Sequence, residues 1–188
     1  MDPLAPLLRR RSTPSRLRSG PGPDPSQLWH MLEVAVHVPD HGRLAPWRFI
    51  AIRGEQRARL GEKLALRTLE RDPGAPAAVV DKDRQRFSQA PLVVVVVSRP
   101  TAGHKVPEQE QLLSGGAVCF ALLQAADALG FGAQWLTGWA AYDPVIAATL
   151  GLAPTERVLG FIHIGVAADP APERVRPDPR TLLTDLTL

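Results

Sequence analysis

The sequence predicts a single layered domain in which helices pack on a sheet, an α/β or α+β arrangement. Three observations point there. Helical and strand-like segments alternate along 188 residues, an ordinary size for one domain, and 45% apolar residues suffice for a core. Residues 92–97 form an unbroken apolar run, as expected of a strand covered on both faces. Residues 114–129 are apolar at nearly every position, which predicts a central, buried helix.

The remaining elements follow in order. Asp2-Pro3 reads as a cap and first helical residue, so a short helix runs into Arg9-Arg10-Arg11. Gly20, Pro21, Gly22 and Pro23 impose a loop. Asp24-Pro25-Ser26-Gln27 carries a capping-box signal, and Leu28, Met31, Leu32 and Ala35 then share one helical face that must end before Pro39. Residues 47–53 read as a strand, 55–71 as an amphipathic surface helix and 81–89 as a shorter polar helix. Gly130 closes the apolar helix, and a short strand follows at 131–136. Asp143-Pro144 starts a small helix that Gly151 stops, and 158–166 form the last strand. With Pro170, Pro172, Pro177 and Pro179, residues from about 169 to 188 should form an extended arm on the single domain 1–188.

Composition excludes several classes. Cys119 is the only cysteine, so there is no intramolecular disulfide framework and no Cys-based zinc site. The net charge of +3 and pI near 9.6 raise a nucleic-acid-binding reading. Only Arg9-Arg10-Arg11 is a true basic cluster, and 5% aromatic residues leave few stacking platforms, so no nucleic-acid partner is expected. The first eight residues carry Asp2, Pro3 and Pro6 and lack the apolar stretch of a secretory signal. The run 91–97 is too short to cross a bilayer. A cytoplasmic protein without membrane association is the expectation.

Motifs for protein-borne chemistry are missing: no Walker loop, no dinucleotide glycine fingerprint, no nucleophile elbow and no zincin helix. His37 and His41 are four apart, but Pro39 separates them and no acidic ligand stands at helical spacing, so no metal is expected. His30 and His163 lie in periodic segments and read as structural, and Cys119 reads as packing. A bound cofactor that supplies the chemistry accounts for this poverty. Three segments could hold one. Arg10-Arg11-Ser12 offers guanidinium forks and a hydroxyl to a phosphate. Residues 37–47 form a polar, Pro-bounded loop with imidazole and guanidinium groups. Residues 130–138 flank Trp135 with glycines that permit close approach to a flat ligand.

In this order the segments resemble the nitroreductase family, in particular its compact bacterial branch of NAD(P)H nitroreductases. The resemblance rests on Arg10-Arg11-Ser12, on Ala35-Val36-His37-Val38-Pro39-Asp40-His41 followed by Pro46-Trp47, and on Ala90-Pro91 before the valine strand. His104-Lys105-Val106-Pro107 with Glu110, Gly130-Phe131-Gly132, Trp135, and Val158-Leu159-Gly160-Phe161 with Gly165 complete it. It spans nearly the whole chain.

The resemblance implies an α+β fold with a central, mainly antiparallel sheet flanked by helices, an interlocked homodimer, and FMN at the subunit interface. Arg10, Arg11 and Ser12 would contact FMN, chiefly its phosphate and ribityl side. His37 and His41 would reach it from the other subunit, and Trp135, Leu136 and Thr137 would line the isoalloxazine. Ala125, Ala126, Asp127, Ala128, Leu129 and Gly130 match the stretch proposed for the nicotinamide nucleotide. The implied reaction is ping-pong: NADH or NADPH gives hydride to the flavin, which then reduces a small acceptor such as a nitroaromatic or quinone. No side chain acts as a catalytic group. Three positions depart from the family pattern: Pro14 where a cation is common, His37 where Arg is usual, and Ala45 where Gln is usual. Arg16 is the cation nearest to position 14, and Arg176 or Arg180 could assist the phosphate. These departures motivate an alternative, a flavin-binding carrier or sensor with little turnover.

Overall fold

A computed structural model describes residues 2–14 and 18–187, with residues 18 and 19 by backbone alone. The elements run α1 (Ala5–Arg9), β1 (Arg18–Ser19), α2 (Pro25–Ala35), β2 (Trp47–Arg53), α3 (Glu55–Arg71), α4 (Ala77–Gln85) and β3 (Leu92–Ser98). They continue with α5 (Glu108–Ala128), β4 (Gly132–Leu136), α6 (Pro144–Thr149) and β5 (Arg157–Ala167). All strand pairings are antiparallel, in the order β2-β3-β5, with β4 and β1 sharing the far side of β5. The predicted α+β class, with helices flanking an antiparallel sheet, is what the chain adopts.

β3 explains why the sheet separates two cores. All seven of its residues are buried. Side chains alternate across a strand, so Leu92, Val94 and Val96 face α2 and α5, while Val93, Val95 and Val97 face α3 and α6. Its neighbour β5 contributes Ile162 and Ile164 to the first core and Val158 and Phe161 to the second. A register shift between Val96 and Val97 reconciles the two strands near Gly160.

Several boundaries differ from the sequence reading for physical reasons. α2 has the expected capping box: Asp24 Oδ1 accepts from Gln27 N at 2.8 Å, and Gln27 Oε1 accepts from Asp24 N at 3.0 Å. α1 stops at Arg9, so Arg10 and Arg11 lie outside the helix rather than at its end. α4 occupies 77–85 instead of 81–89, because Pro76 serves as its N-cap. α5 begins already at Glu108; its polar first turn follows Pro107 and carries no apolar signal.

α5 also departs from the expectation of burial all round. The sheet can cover one face only, which takes up Val118, Cys119, Leu122 and Ala126. Leu112, Leu113 and Phe120 point outward, with Phe120 50% exposed. By length and composition α5 could cross a membrane, yet half of its apolar window is buried inside the protein, as in a core helix. Beyond Ala167 the described chain contains one 3₁₀ turn (Pro179–Thr181), and Leu182, Leu183 and Leu186 are exposed.

Candidate active site

The Arg10-Arg11-Ser12 segment leaves α1 and runs to the rim of the sheet. Ser12 forms a parallel bridge to Ala133, and Thr13 N donates to the Ala133 carbonyl at 3.0 Å. Gly132 is needed for this docking, since a Cβ there would stand 2.9–3.0 Å from the Thr13 side chain. The arginines are thereby anchored to β4, the strand that ends in Trp135 and Leu136. Along β4 the path from Ala133 to Thr137 covers about 13 Å at strand rise, so this edge can present one end of an elongated ligand to the arginines and the other to Trp135, Leu136 and Thr137.

Arg10 is the distinctive group. Its guanidinium lies over the Phe120 ring at 5.8 Å, and Nη1 is buried without a hydrogen-bond acceptor among the described residues. Burial, and then the charge of Arg176, hold its pKa below the usual arginine value, partly offset by Asp127. Arg11 donates from Nε and Nη2 to Glu173 at 3.3 and 2.9 Å and from Nη1 to the Leu8 carbonyl at 2.6 Å. The arm therefore folds back on the cradle and places Arg176 near it. Arg180 instead pairs with its neighbour Asp178 on the surface. Arg16 lies outside the described residues.

Trp135 lies across β5. Its Nε1 donates to the Leu159 carbonyl at 2.9 Å, and the indole occupies the space that a side chain at Gly160 would fill. Leu136 and Thr137 follow, half-buried, before Gly138 turns the chain at φ 68°. The stretch Ala125, Ala126, Asp127, Ala128, Leu129 and Gly130 ends α5; Ala125 and Ala126 are core, whereas 127–130 are exposed. Ala125, Asp127, Ala128 and Leu129 line one wall of a cleft of about 530 Å³ whose other walls are α1 and α2.

His37 and His41 are exposed and sit elsewhere. His37 Nδ1 donates to the Glu33 carbonyl at 2.7 Å, and His41 Nδ1 meets Glu110 Oε2 at 2.8 Å. Ser114 Oγ, which donates to the Pro39 carbonyl at 2.5 Å, ties their loop to the start of α5. Arg10 instead meets Phe120 and the field of Asp127, towards the other end. At about 1.5 Å per helical residue, Glu110 and Asp127 are some 25 Å apart. One chain does not bring the histidine loop to the arginine cradle.

Sequence reasoning assigned no role to three groups. Asp40 accepts from Leu44 N at 3.1 Å and Ala45 N at 2.8 Å, and so holds Arg43 and Ala45 at φ 53° and 43°. Strain of this kind collects in functional loops. Its signal was available in an Asp preceding a Gly-containing turn. Glu110 meets His41 from 69 residues away, and the buried Asp83 looks like half of an ordinary i,i+3 pair with Arg86 until Thr68 and Trp139 join it.

An antiparallel sheet between two helical layers, with a basic segment docked on the edge strand that carries Trp135, defines an α+β domain. Comparison with known proteins identifies it. The profile of the Nitroreductase family matches residues 7–166. YdjA of Escherichia coli K12, named for a proposed NAD(P)H nitroreductase activity, is 35% identical over 185 residues, covering 98% of this chain and 99% of its own. A Haemophilus influenzae protein named in the same way is 32% identical over 178 residues, 94% of either chain. Among solved structures, a nitroreductase-like family protein from Bacillus cereus shares the fold at TM-score 0.80 and 22% identity, covering 96% of this chain and 94% of its own. A Desulfovibrio desulfuricans protein solved in complex with FMN matches at TM-score 0.77 and 20% identity, covering 100% of this chain and 99% of its own. The chain belongs to the nitroreductase family.

Proposed function

We propose that this chain is an FMN-dependent oxidoreductase that takes electrons from NADH or NADPH and reduces a small acceptor such as a nitroaromatic or quinone. The observation that carries the reading is Arg10. A half-buried guanidinium whose buried Nη1 has no acceptor among the described residues, beside Arg11 and Arg176, is costly unless an anion completes it. The FMN phosphate is such an anion, and the family relatives named for NAD(P)H nitroreductase activity supply the chemistry to expect.

When bound, FMN supplies the two-electron redox chemistry. The protein holds and orients it. Arg10 and Arg11 neutralise the phosphate, with Arg11 exchanging Glu173 for it, and the Ser12 hydroxyl adds a short-range hydrogen bond. Trp135, Leu136 and Thr137 line the ring and exclude water from its inner side. The nicotinamide nucleotide takes the cleft beside 125–130.

The functional unit is a homodimer. Leu113, Gly116, Ala117 and Phe120 recur on the uncovered face of α5, and Leu4, Leu7 and Leu8 add further exposed apolar surface at and before α1. A two-fold axis across α5 reverses its direction, so the partner's histidine loop arrives at this chain's arginine cradle. His37 and His41 then approach the cofactor from the second copy, and the proline-rich arm of the single domain wraps it. The enzyme works in the cytoplasm. Purified protein should be yellow and dimeric in mass, with one FMN per chain. Colourless protein that fails to take up added FMN would refute the reading.

A further inference from the structure

Beside the turn that follows Thr137 lies a polar cluster that the proposed reaction does not use. Asp83, on α4, has a side chain only 5% exposed. It accepts from Thr68 Oγ1 at 2.8 Å, from Trp139 Nε1 at 3.2 Å, and from Arg86 Nε and Nη2 at 3.2 and 2.7 Å. The donors come from α3, from the turn after β4 and from the end of α4. Arg86 in turn packs on Gly138 so closely that a Cβ there would stand 2.7 Å from Nη1. Arg71 covers the Trp139 ring at 4.6 Å.

We infer that Asp83 and Arg86 are positioning residues for the flavin: Asp83 holds Arg86 against Gly138, and the pair together fixes the turn and sets the charge balance behind the ring-binding segment. The inference rests on the FMN reading above. A buried carboxylate with four donor contacts is well matched, and removing either charged partner leaves the other uncompensated in a region of low dielectric. The turn it clamps follows Thr137 directly, so an unbalanced charge there acts on a ligand lining 135–137. A net positive charge favours the more negatively charged reduced flavin and raises its potential; a net negative charge lowers it.

The test measures the midpoint potential of FMN bound to the purified protein by dye equilibration, alongside FMN affinity and thermal unfolding. Asp83→Asn frees the Arg86 charge and should shift the potential upward. Arg86→Gln leaves Asp83 uncompensated and should shift it downward, while the double variant returns towards the parent value. Loosened packing alone would move both single variants in the same direction, and that result, or no shift in either, overturns the inference. Should Asp83→Asn fail to fold, Arg86→Gln and Arg86→Lys decide. A lowered potential in the first with a near-parent value in the second supports the inference; equal values overturn it. Failure of the parent protein to bind FMN would refute the functional reading instead.

Discussion

Gly160→Ala tests the ring wall at its foundation. The indole of Trp135 rests on Gly160, and a Cβ added there would stand 2.1 Å from Nε1 and 2.4 Å from Cδ1. Ordinary contact begins near 3.4 Å, so the ring must retreat by more than an ångström. β5 cannot give way, because it is paired on both sides. The retreat breaks the 2.9 Å bond from Nε1 to the Leu159 carbonyl. Losing that bond costs about 1–2 kcal/mol, and overpacking adds about 1–3 kcal/mol. The variant should therefore lose about 2–5 kcal/mol, a fall in Tm of roughly 4–20 °C for a chain of this size. Calorimetry reads that loss directly, and an FMN titration should show at least a tenfold weaker affinity as the wall is displaced. A Tm within 2 °C of the parent together with unchanged FMN affinity would refute the reasoning.

Arg10→Ala should weaken FMN binding by at least tenfold while affecting riboflavin, which lacks the phosphate, far less; fluorescence quenching titrations with both ligands check this. Gly61→Ala should be among the most damaging substitutions in α3, since Gly61 is buried against α4 and its Cβ would stand 1.9 Å from the Arg84 carbonyl oxygen; calorimetry should show a loss of about 1–3 kcal/mol. The Arg48 hydrogen bond holds the Glu156 carboxyl down at about 2 from the usual 4.5, against the opposing effect of burial. Because the folded pKa is the lower one, this stabilisation is present above pH 4.5 and is lost as pH falls towards 2. The shift corresponds to no more than about 3 kcal/mol, reduced to about 1–2 kcal/mol because Arg48 is partly solvated. Urea unfolding of Glu156→Gln should show that deficit at pH 7 and convergence with the parent near pH 2.

What could be read from the sequence was what local chemistry dictates. Asp24 to Gln27 announces a helix start because the capping box closes within four residues, and the valine run announces a central strand because only double coverage tolerates it. Arg10-Arg11-Ser12 and the Trp135 segment each have an ordinary structural use, a basic helix end and an edge strand, and stood out only through their order along the chain. Features that depend on distant partners stayed hidden. The outward face of α5 looks as apolar as the inward one, so the sequence alone assigned both to the core. Asp83 resembles any helical aspartate until Thr68, Arg86 and Trp139 converge on it. The separation along α5 between the histidine loop, tied to Glu110 and Ser114, and Arg10, beside Phe120 and Asp127, has no sequence signature either, and it argues for a second copy.

The central claim is that this chain reduces a bound flavin with a nicotinamide nucleotide. Anaerobic addition of NADH, and separately of NADPH, to the purified FMN-loaded protein, followed at the flavin absorption band near the visible edge, tests it most directly. Bleaching by at least one nucleotide, and return of the band on adding a quinone or nitroaromatic, is the predicted result. A yellow protein whose band neither nucleotide bleaches would contradict the account and leave a flavin carrier or sensor in its place.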